Sequence, residues 1–422
     1  MRTPSLRRCH TWRLGRLRFS PRKIQGMKGP LRFRLLVMTG TVGLALAGPA
    51  FANHKTGDFP LPELIVAADF NEDGKLDLAV NVTGFDNVAI LNGDGHGNFT
   101  LKKHVETDTL PHGLAVGDVN GDHHLDLVSI NQWGYDIRVN LGDGRGGFIG
   151  AGELNGDGDP NRIAVADLNN DGDLDLIANA PTEGKILIYF GQGHGSFSNS
   201  ALELEDLPKD YSFAVGDLNH DGNADLVVTK DDRGAKAVVF LGDGAGNFTK
   251  ANEFSVGTLA SAAVLVDLNH DDKLDILIGG AGAGNHTGMF LSSYLGDGTG
   301  NFTTGQNNDL GPGTMEGEMG LADFNEDGNL DVAFPIVFSQ GQTESTSVLT
   351  FFGDGNGKFT AGQTITTGGG PHSAAAADFN GDGHVDLAVT NRDDATVLIL
   401  LGAGDGTFAS HATIPIAAVP GP

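Results

Sequence analysis

Cysteine is all but missing from this 422-residue chain: the one thiol, Cys9, lies near the N-terminus. An intrachain disulfide is excluded, so a fold exposed to oxidising surroundings needs another staple. Tryptophan and tyrosine are scarce, at 2 and 4 residues against 24 Phe. No apolar run is long enough to span a bilayer comfortably. No segment in the body of the chain carries the apolar periodicity of a helix of ten residues or more, which argues against a helical bundle. Positive charge is also thin. Of 27 basic residues, eleven fall in residues 1–52, which carry no acid, leaving 16 against 54 acids, a net −38. Such a surface repels nucleic-acid phosphates and anionic membranes. It suits neutral or basic ligands and divalent cations.

The first 52 residues read as a signal peptide. Met27 to Arg34 is basic, Leu35 to Ala47 is apolar and small, and Ala50-Phe51-Ala52 fits the cleavage pattern. The start is then Met1 or Met27, and residues 53–422 form the mature domain. Cleavage removes Cys9 and leaves no membrane span. The expected localisation is secreted, extracellular or periplasmic, and the expected state is a monomer without nucleic acid.

What the chain has in abundance is repetition. A nine-residue string, Asp-x-Asn-x-Asp-(Gly)-x-x-Asp, begins at Asp69, Asp118, Asp167, Asp217, Asp267, Asp323 and Asp378, at steps of 49, 49, 50, 50, 56 and 55 residues. A second string, close to Gly-Asp-Gly-x-Gly-x-Phe, ends at Phe99, Phe148, Phe197, Phe248, Phe302, Phe359 and Phe408 and keeps phase with the first. Each unit holds four short apolar runs between Gly/Asp turns. In the second unit these are Leu114 to Gly117, Leu125 to Ile130, Ile137 to Leu141, and a run beginning at Phe148. Alternation with period two marks them as strands. Four antiparallel strands in about 50 residues make a propeller blade. The fold class is therefore all-β, a seven-bladed β-propeller. Thr407 to Val419 supplies a full outer strand, so the last blade is expected to close on the C-terminal tail without a strand shared between termini.

The first string concentrates oxygen. Positions 1, 3, 5 and 9 offer side-chain oxygens and position 7 a backbone carbonyl, the donor set of a calcium loop. The ligands would be Asp69, Asn71, Asp73, Lys75 and Asp77; Asp118, Asn120, Asp122, His124 and Asp126; Asp167, Asn169, Asp171, Asp173 and Asp175; and Asp217, Asn219, Asp221, Asn223 and Asp225. Next come Asp267, Asn269, Asp271, Lys273 and Asp275; Asp323, Asn325, Asp327, Asn329 and Asp331; and Asp378, Asn380, Asp382, His384 and Asp386. Three carboxylates in one short loop repel, by about 4 kcal/mol per pair ~4 Å apart at an effective dielectric near 20. Up to seven structural Ca2+ ions are thus expected. His123 and Asp272 replace glycine at position 6, which marks the second and fifth sites as the weakest.

These motifs resemble the FG-GAP/VCBS repeat family, which includes the propeller head of integrin α-subunits. The resemblance covers residues ~57 to 418. It implies that each loop joins the first and second strands of a blade and binds calcium. The Phe-Gly pair is replaced by Gly97-Asn98-Phe99, and the Gly-Ala-Pro element survives loosely as Gly370-Pro371-His372. The family hosts adhesion heads, lectin-like modules and some lyases, so it leaves the function open.

Six residues before each loop, on the face away from the calcium loops and near the axis, stand Glu63, His112, Asn161, Tyr211, Ser261, Gly317 and His372. They differ where the scaffold repeats. Trp133, Tyr135 and Arg138 form a dense aromatic–cationic cluster. No nucleophile motif or His-Glu metal pair occurs. The leading expectation is a binding or adhesion module for an extracellular glycan or protein. The alternatives are a polysaccharide lyase or hydrolase using His112, His372, Arg162 or Tyr211, and a structural subunit of an envelope complex.

Overall fold

A computed structural model describes residues 60–198, 202–204, 207, 211–230, 236–256, 260–281, 289–311, 317–338 and 345–416. Residues 1–52, read from the sequence as a signal peptide, lie outside them. The chain folds as seven four-stranded antiparallel sheets, each built from consecutive strands in sequence order. Blade 1 comprises Pro62–Ala68, Asp77–Val82, Asn87–Gly93 and Phe99–Glu106. Blades 2 to 7 occupy residues 111–155, 163–204, 211–255, 260–311, 320–366 and 371–415. First strands meet around the ring, including those of blades 7 and 1, and so are the inner ones. In blade 2 the strands are Pro111–Gly117, Asp126–Asn131, Asp136–Gly142 and Phe148–Asn155. They extend the sequence expectation by a residue or a few at most ends and keep its start at Phe148. The last blade takes all four strands, to Phe408–Pro415, from the C-terminal end, as expected.

The two repeated strings explain how blades are made and joined. Position 9 of the loop starts the second strand, and its carboxylate is fully buried in all seven blades. In blade 1, Asp77 Oδ2 accepts the Phe70 amide at 3.2 Å and Oδ1 accepts the Gly93 amide at 2.9 Å. This carboxylate ties the loop to the end of the third strand. The first glycine of the second string must come close: a Cβ on Gly93 would lie 2.1 Å from the Leu76 carbonyl oxygen. The closing phenylalanine then reaches to the preceding blade. Phe148 packs edge-on against Phe70 at 5.9 Å between ring centres, and Phe408 against Phe324 at 5.3 Å. Phe99 does the same with Phe379 at 5.5 Å, which joins blade 1 to blade 7. Each hydrophobic cluster is shared by two adjacent blades, so the core is a ring of seams. The extra length of blades 5 and 6 falls between second and third strands, after Asp275–Ala281 and Asp331–Phe338. The inner parts of those connections lie outside the described residues. Among the described residues no helix is long and apolar enough to cross a membrane.

Candidate metal loops and an axial polar cluster

The seven acidic loops share one conformation. Position 1 turns Oδ2 to the amide of position 6: Asp69 to Gly74, Asp118 to His123 and Asp267 to Asp272 in three of them. Position 3 accepts from the amide of position 5, as Asn71 does from Asp73. Position 5 accepts from position 7, as Asp73 does from Lys75. The backbone at position 6 has positive φ in every blade, including 74° at His123 and 67° at Asp272. These two residues carry the strain expected of non-glycine side chains there. Position 4 is also left-handed, at Glu72, Gly121, Asn170, His220, His270, Glu326 and Gly381. The sequence reading missed that second turn.

The loops suit a hard cation by donor chemistry and by proximity. The side-chain donors are carboxylate and amide oxygens, with no sulfur or imidazole among them. Asp69 Oδ1 and Asn71 Oδ1 lie 3.1 and 3.0 Å from the same Asp73 amide, so they already sit side by side. Burial, reinforced by the acids at positions 1 and 5, pushes the position-9 carboxyl up to about 6 in Asp77, Asp126, Asp175, Asp275 and Asp331. Asp225 and Asp386 are raised for the same reason. A cation among the three acids would relieve that repulsion. Among the described residues, no three His, Cys, Asp or Glu side chains stand in a ready coordinating group.

Neighbouring loops touch through side chains at positions 4 and 7. His124 Nδ1 lies 2.6 Å from Glu72 Oε1, and Asn170 donates to Asn223 at 2.8 Å. His270 and Asn329 are 3.2 Å apart, and His384 Nδ1 is 2.5 Å from Glu326 Oε1. Each pair spans one blade seam on the face of the acidic loops.

At the opposite end of the inner strands, the non-repeating residues come together. Glu63 is the second residue of its strand and is buried, at 2% exposure. Its Oε2 lies 3.2 Å from His112 Nδ1 on blade 2, without hydrogen-bond geometry, and its Oε1 lies 3.4 Å from Arg392 Nε on blade 7. Burial raises the Glu63 carboxyl, but His112, His372 and Arg392 together outweigh it and hold the group below its ordinary range. Burial pulls the imidazole of His372 down to about 4, against the attraction of Glu63. His372 is therefore neutral at pH 7, and its Nδ1 has no hydrogen-bond partner. Asn81, facing the bulge that holds Glu63, has neither amide atom paired. Arg162 of blade 3 is buried, and burial pulls it down to about 9 although Glu318 of blade 6 opposes the shift. Blades 3 and 6 stand three apart in a ring of seven, so these two charges face across the axis.

Of the seven predicted axial positions, Glu63, His112 and His372 meet in this cluster. Asn161 instead pairs with Asn179 in its own blade at 2.7 Å. Gly317 lies against blade 7, where a Cβ would be 1.7 Å from the His372 carbonyl oxygen. The side chains of Tyr211 and Ser261 lie outside the described residues. Sequence reasoning missed Arg392 and Glu318. Arg392 opens the turn after the second strand of blade 7, away from any repeated motif, and Glu318 follows the marked Gly317 directly.

Comparison with solved structures agrees with the ring. A protein from Bacteroides fragilis, provisionally described as a 6-phosphogluconolactonase, superposes with a TM-score of 0.58 at 15% identity, covering 86% of this chain and 97% of its own. A protein from Lactobacillus plantarum gives 0.56 at 13% identity, covering 84% and 96%. BBS1N, solved in complex with ARL6DN, gives 0.53 at 12% identity, covering 84% and 94%. At these identities the likeness carries the fold alone. No curated protein matches the chain. The FG-GAP-like repeat matches residues 69–129, 118–178, 174–228, 217–278, 336–389 and 378–422, most of the propeller, and the chain belongs to that family.

Proposed function

We propose that this protein is a secreted binding module, stapled by calcium in its loops, that holds an extracellular glycan at the axial end opposite those loops. One observation carries the reading. The scaffold positions repeat from blade to blade, whereas the axial positions vary, and yet Glu63, His112, His372 and Arg392 converge while Arg162 interacts with Glu318. A rigid ring that gathers unlike charges and unpaired polar atoms at one end suits a ligand rich in both donors and acceptors. A polyhydroxylated saccharide has that chemistry. The basic leader and apolar run support export, and calcium would replace the missing disulfides.

The test is a glycan and matrix-protein array probed in calcium and again in chelator. A defined glycan hit that is lost on Glu63→Gln and Arg392→Ala supports the proposal. A hit only among proteins, or none with the ring folded, refutes it. Calcium is tested separately by melting. A ligand at 100 times its Kd stabilises by about 2.7 kcal/mol per site, so chelation should lower Tm by many degrees. An unchanged Tm would remove calcium from the proposal. His112 also stands 3.2 Å from a buried carboxylate, a juxtaposition that favours a lyase or hydrolase as the second reading. Chain cleavage of the bound glycan would establish it.

A further inference from the structure

The turn between the second and third strands of blade 2 reads Gln132-Trp133-Gly134-Tyr135. Trp133 and Tyr135 are each 50% exposed, where large apolar side chains are seldom left in water. The turn is built alike in four blades. Asp86, Tyr135, Gly184 and Ala395 occupy one position with φ of 54, 54, 69 and 53°. The carbonyl of each accepts a hydrogen bond from the segment after the fourth strand: Thr107, Gly156, Leu207 and Ile416 donate. Scaffold geometry alone therefore asks for glycine or a small residue there. A tyrosine in the left-handed region is costly, by roughly 1–2 kcal/mol. The Asp159 carboxylate lies near its hydroxyl, and that negative charge raises the phenol above its ordinary value. Trp133 stands where the other three turns have Gly84, Thr182 and Asp393.

The surroundings are acidic. A Cβ on Gly134, between the two rings, would lie 2.8 Å from Asp136 Oδ1 and 3.2 Å from Asp108 Cβ. With Asp159 near Tyr135, three carboxylates border the turn that carries the two exposed rings. The same turn is tied to the axial cluster: the amides of Gln132 and Trp133 donate to the carbonyls of Leu110 and Thr109, in the segment that leads into His112. The aromatic pair and the axial cluster therefore lie at the same end of the propeller.

We propose that Trp133 and Tyr135 form a stacking subsite for a glycan of uncharged or amino-bearing pyranose units, whose hydroxyls or ammonium groups donate to Asp108, Asp136 and Asp159. The inference rests on the glycan reading above and names its ligand class. Sugar rings present an apolar C–H face to an aromatic ring and hydroxyls at its edge, which matches this alternation of rings and carboxylates. A polyuronate would meet like charge and is excluded.

Trp12 and Trp133 are the two tryptophans of the chain. A full-length protein carrying W12F therefore reports Trp133 emission alone. Titration with cellohexaose, mannohexaose, chitohexaose and a glucosamine hexamer should shift that emission saturably for at least one of them, and hexagalacturonate should leave it unchanged. The Y135G variant removes the unfavourable backbone, so it should melt no lower than the parent and yet bind about tenfold more weakly. W133A should lose binding by a similar factor on the array. No saturable shift with any of the four neutral or basic oligosaccharides, a preference for hexagalacturonate, or full affinity in Y135G overturns the proposal. An array glycan whose affinity survives both variants sinks this subsite and leaves the axial reading standing. An empty array together with a silent titration sinks both.

Discussion

The Asp77 carboxylate offers the sharpest check on how these blades are built. It is fully buried and accepts from three donors: the amides of Phe70 and Gly93 and the side-chain amide of Asn71, at 3.2, 2.9 and 2.9 Å. Asp77→Ala leaves two buried backbone N–H groups without an acceptor. Each such orphan costs about 1–3 kcal/mol, so the variant should lose about 2–6 kcal/mol. Asp77→Asn keeps one acceptor oxygen and turns an NH2 group on the other amide, so it should lose about half as much. That is a large share of the 5–15 kcal/mol typical of a folded domain. Urea unfolding in chelator measures it, with the order wild type, Asn, Ala. A loss under about 1 kcal/mol for the alanine variant would show that the amides find other partners.

The same pair of proteins carries a pH signature. Burial, then the nearby Asp69 and Asp73, raises the folded carboxyl to about 6 from its ordinary 3.8. Between those values the native state holds more of the proton than the unfolded chain. Stability contributed by this group therefore falls as pH rises from about 4 to about 6, and is level above that. Asp77→Asn cannot titrate. In chelator, the advantage of wild type over this variant should shrink across that window. Calcium should flatten the trend, because a cation offsets the repulsion that raises the carboxyl.

Two further outcomes follow from the seams and turns. Gly93→Ala places a methyl 2.1 Å from the Leu76 carbonyl oxygen, so the third strand must move. Overpacking of this kind costs about 1–3 kcal/mol, read as a lowered urea midpoint, and a midpoint equal to wild type would show slack in the turn. The hydrogen bond that the His124 imidazole donates to the Glu72 carboxylate raises the imidazole above its ordinary value. Glu72→Ala should lower it in an NMR titration, and an unchanged titration would mean that this seam contact is not made in solution.

Most of the ring was legible because its information is local and repeated. Seven copies of one loop and one turn, in phase, state the blade count. The position-6 glycines state a left-handed residue, and the structure places His123 and Asp272 in the same conformation at a cost the sequence anticipated. The position-4 turn was hidden for the opposite reason. Glutamate, asparagine and histidine occupy it in most blades, and none of them announces positive φ as glycine does. The seams were hidden by distance along the chain. That Phe148 rests on Phe70 and Phe99 on Phe379 depends on how blades stack, and no period within a blade records it.

The axial cluster shows the limit of the same reasoning. Glu63, His112 and His372 were found by asking where the repeat fails to repeat, a question that needs only the sequence, whereas Arg392 and Glu318 were not. Their chemistry needed the closed ring. Glu63 and Arg392 are 329 residues apart and become neighbours only because blade 7 abuts blade 1. Arg162 and Glu318 meet only because three blades carry one charge across the axis from the other. Closure is therefore a precondition of the site as well as of stability. The Phe99–Phe379 contact and the Gly97 amide, which donates to the Phe379 carbonyl at 3.0 Å, make that closure at the calcium-loop end of the seam. The Glu63–Arg392 pair and the Thr390 hydroxyl, which donates to the Glu63 carbonyl at 2.7 Å, make it at the other. A lesion at the loop end should thus loosen the Glu63–Arg392 pair at the far end through the seam.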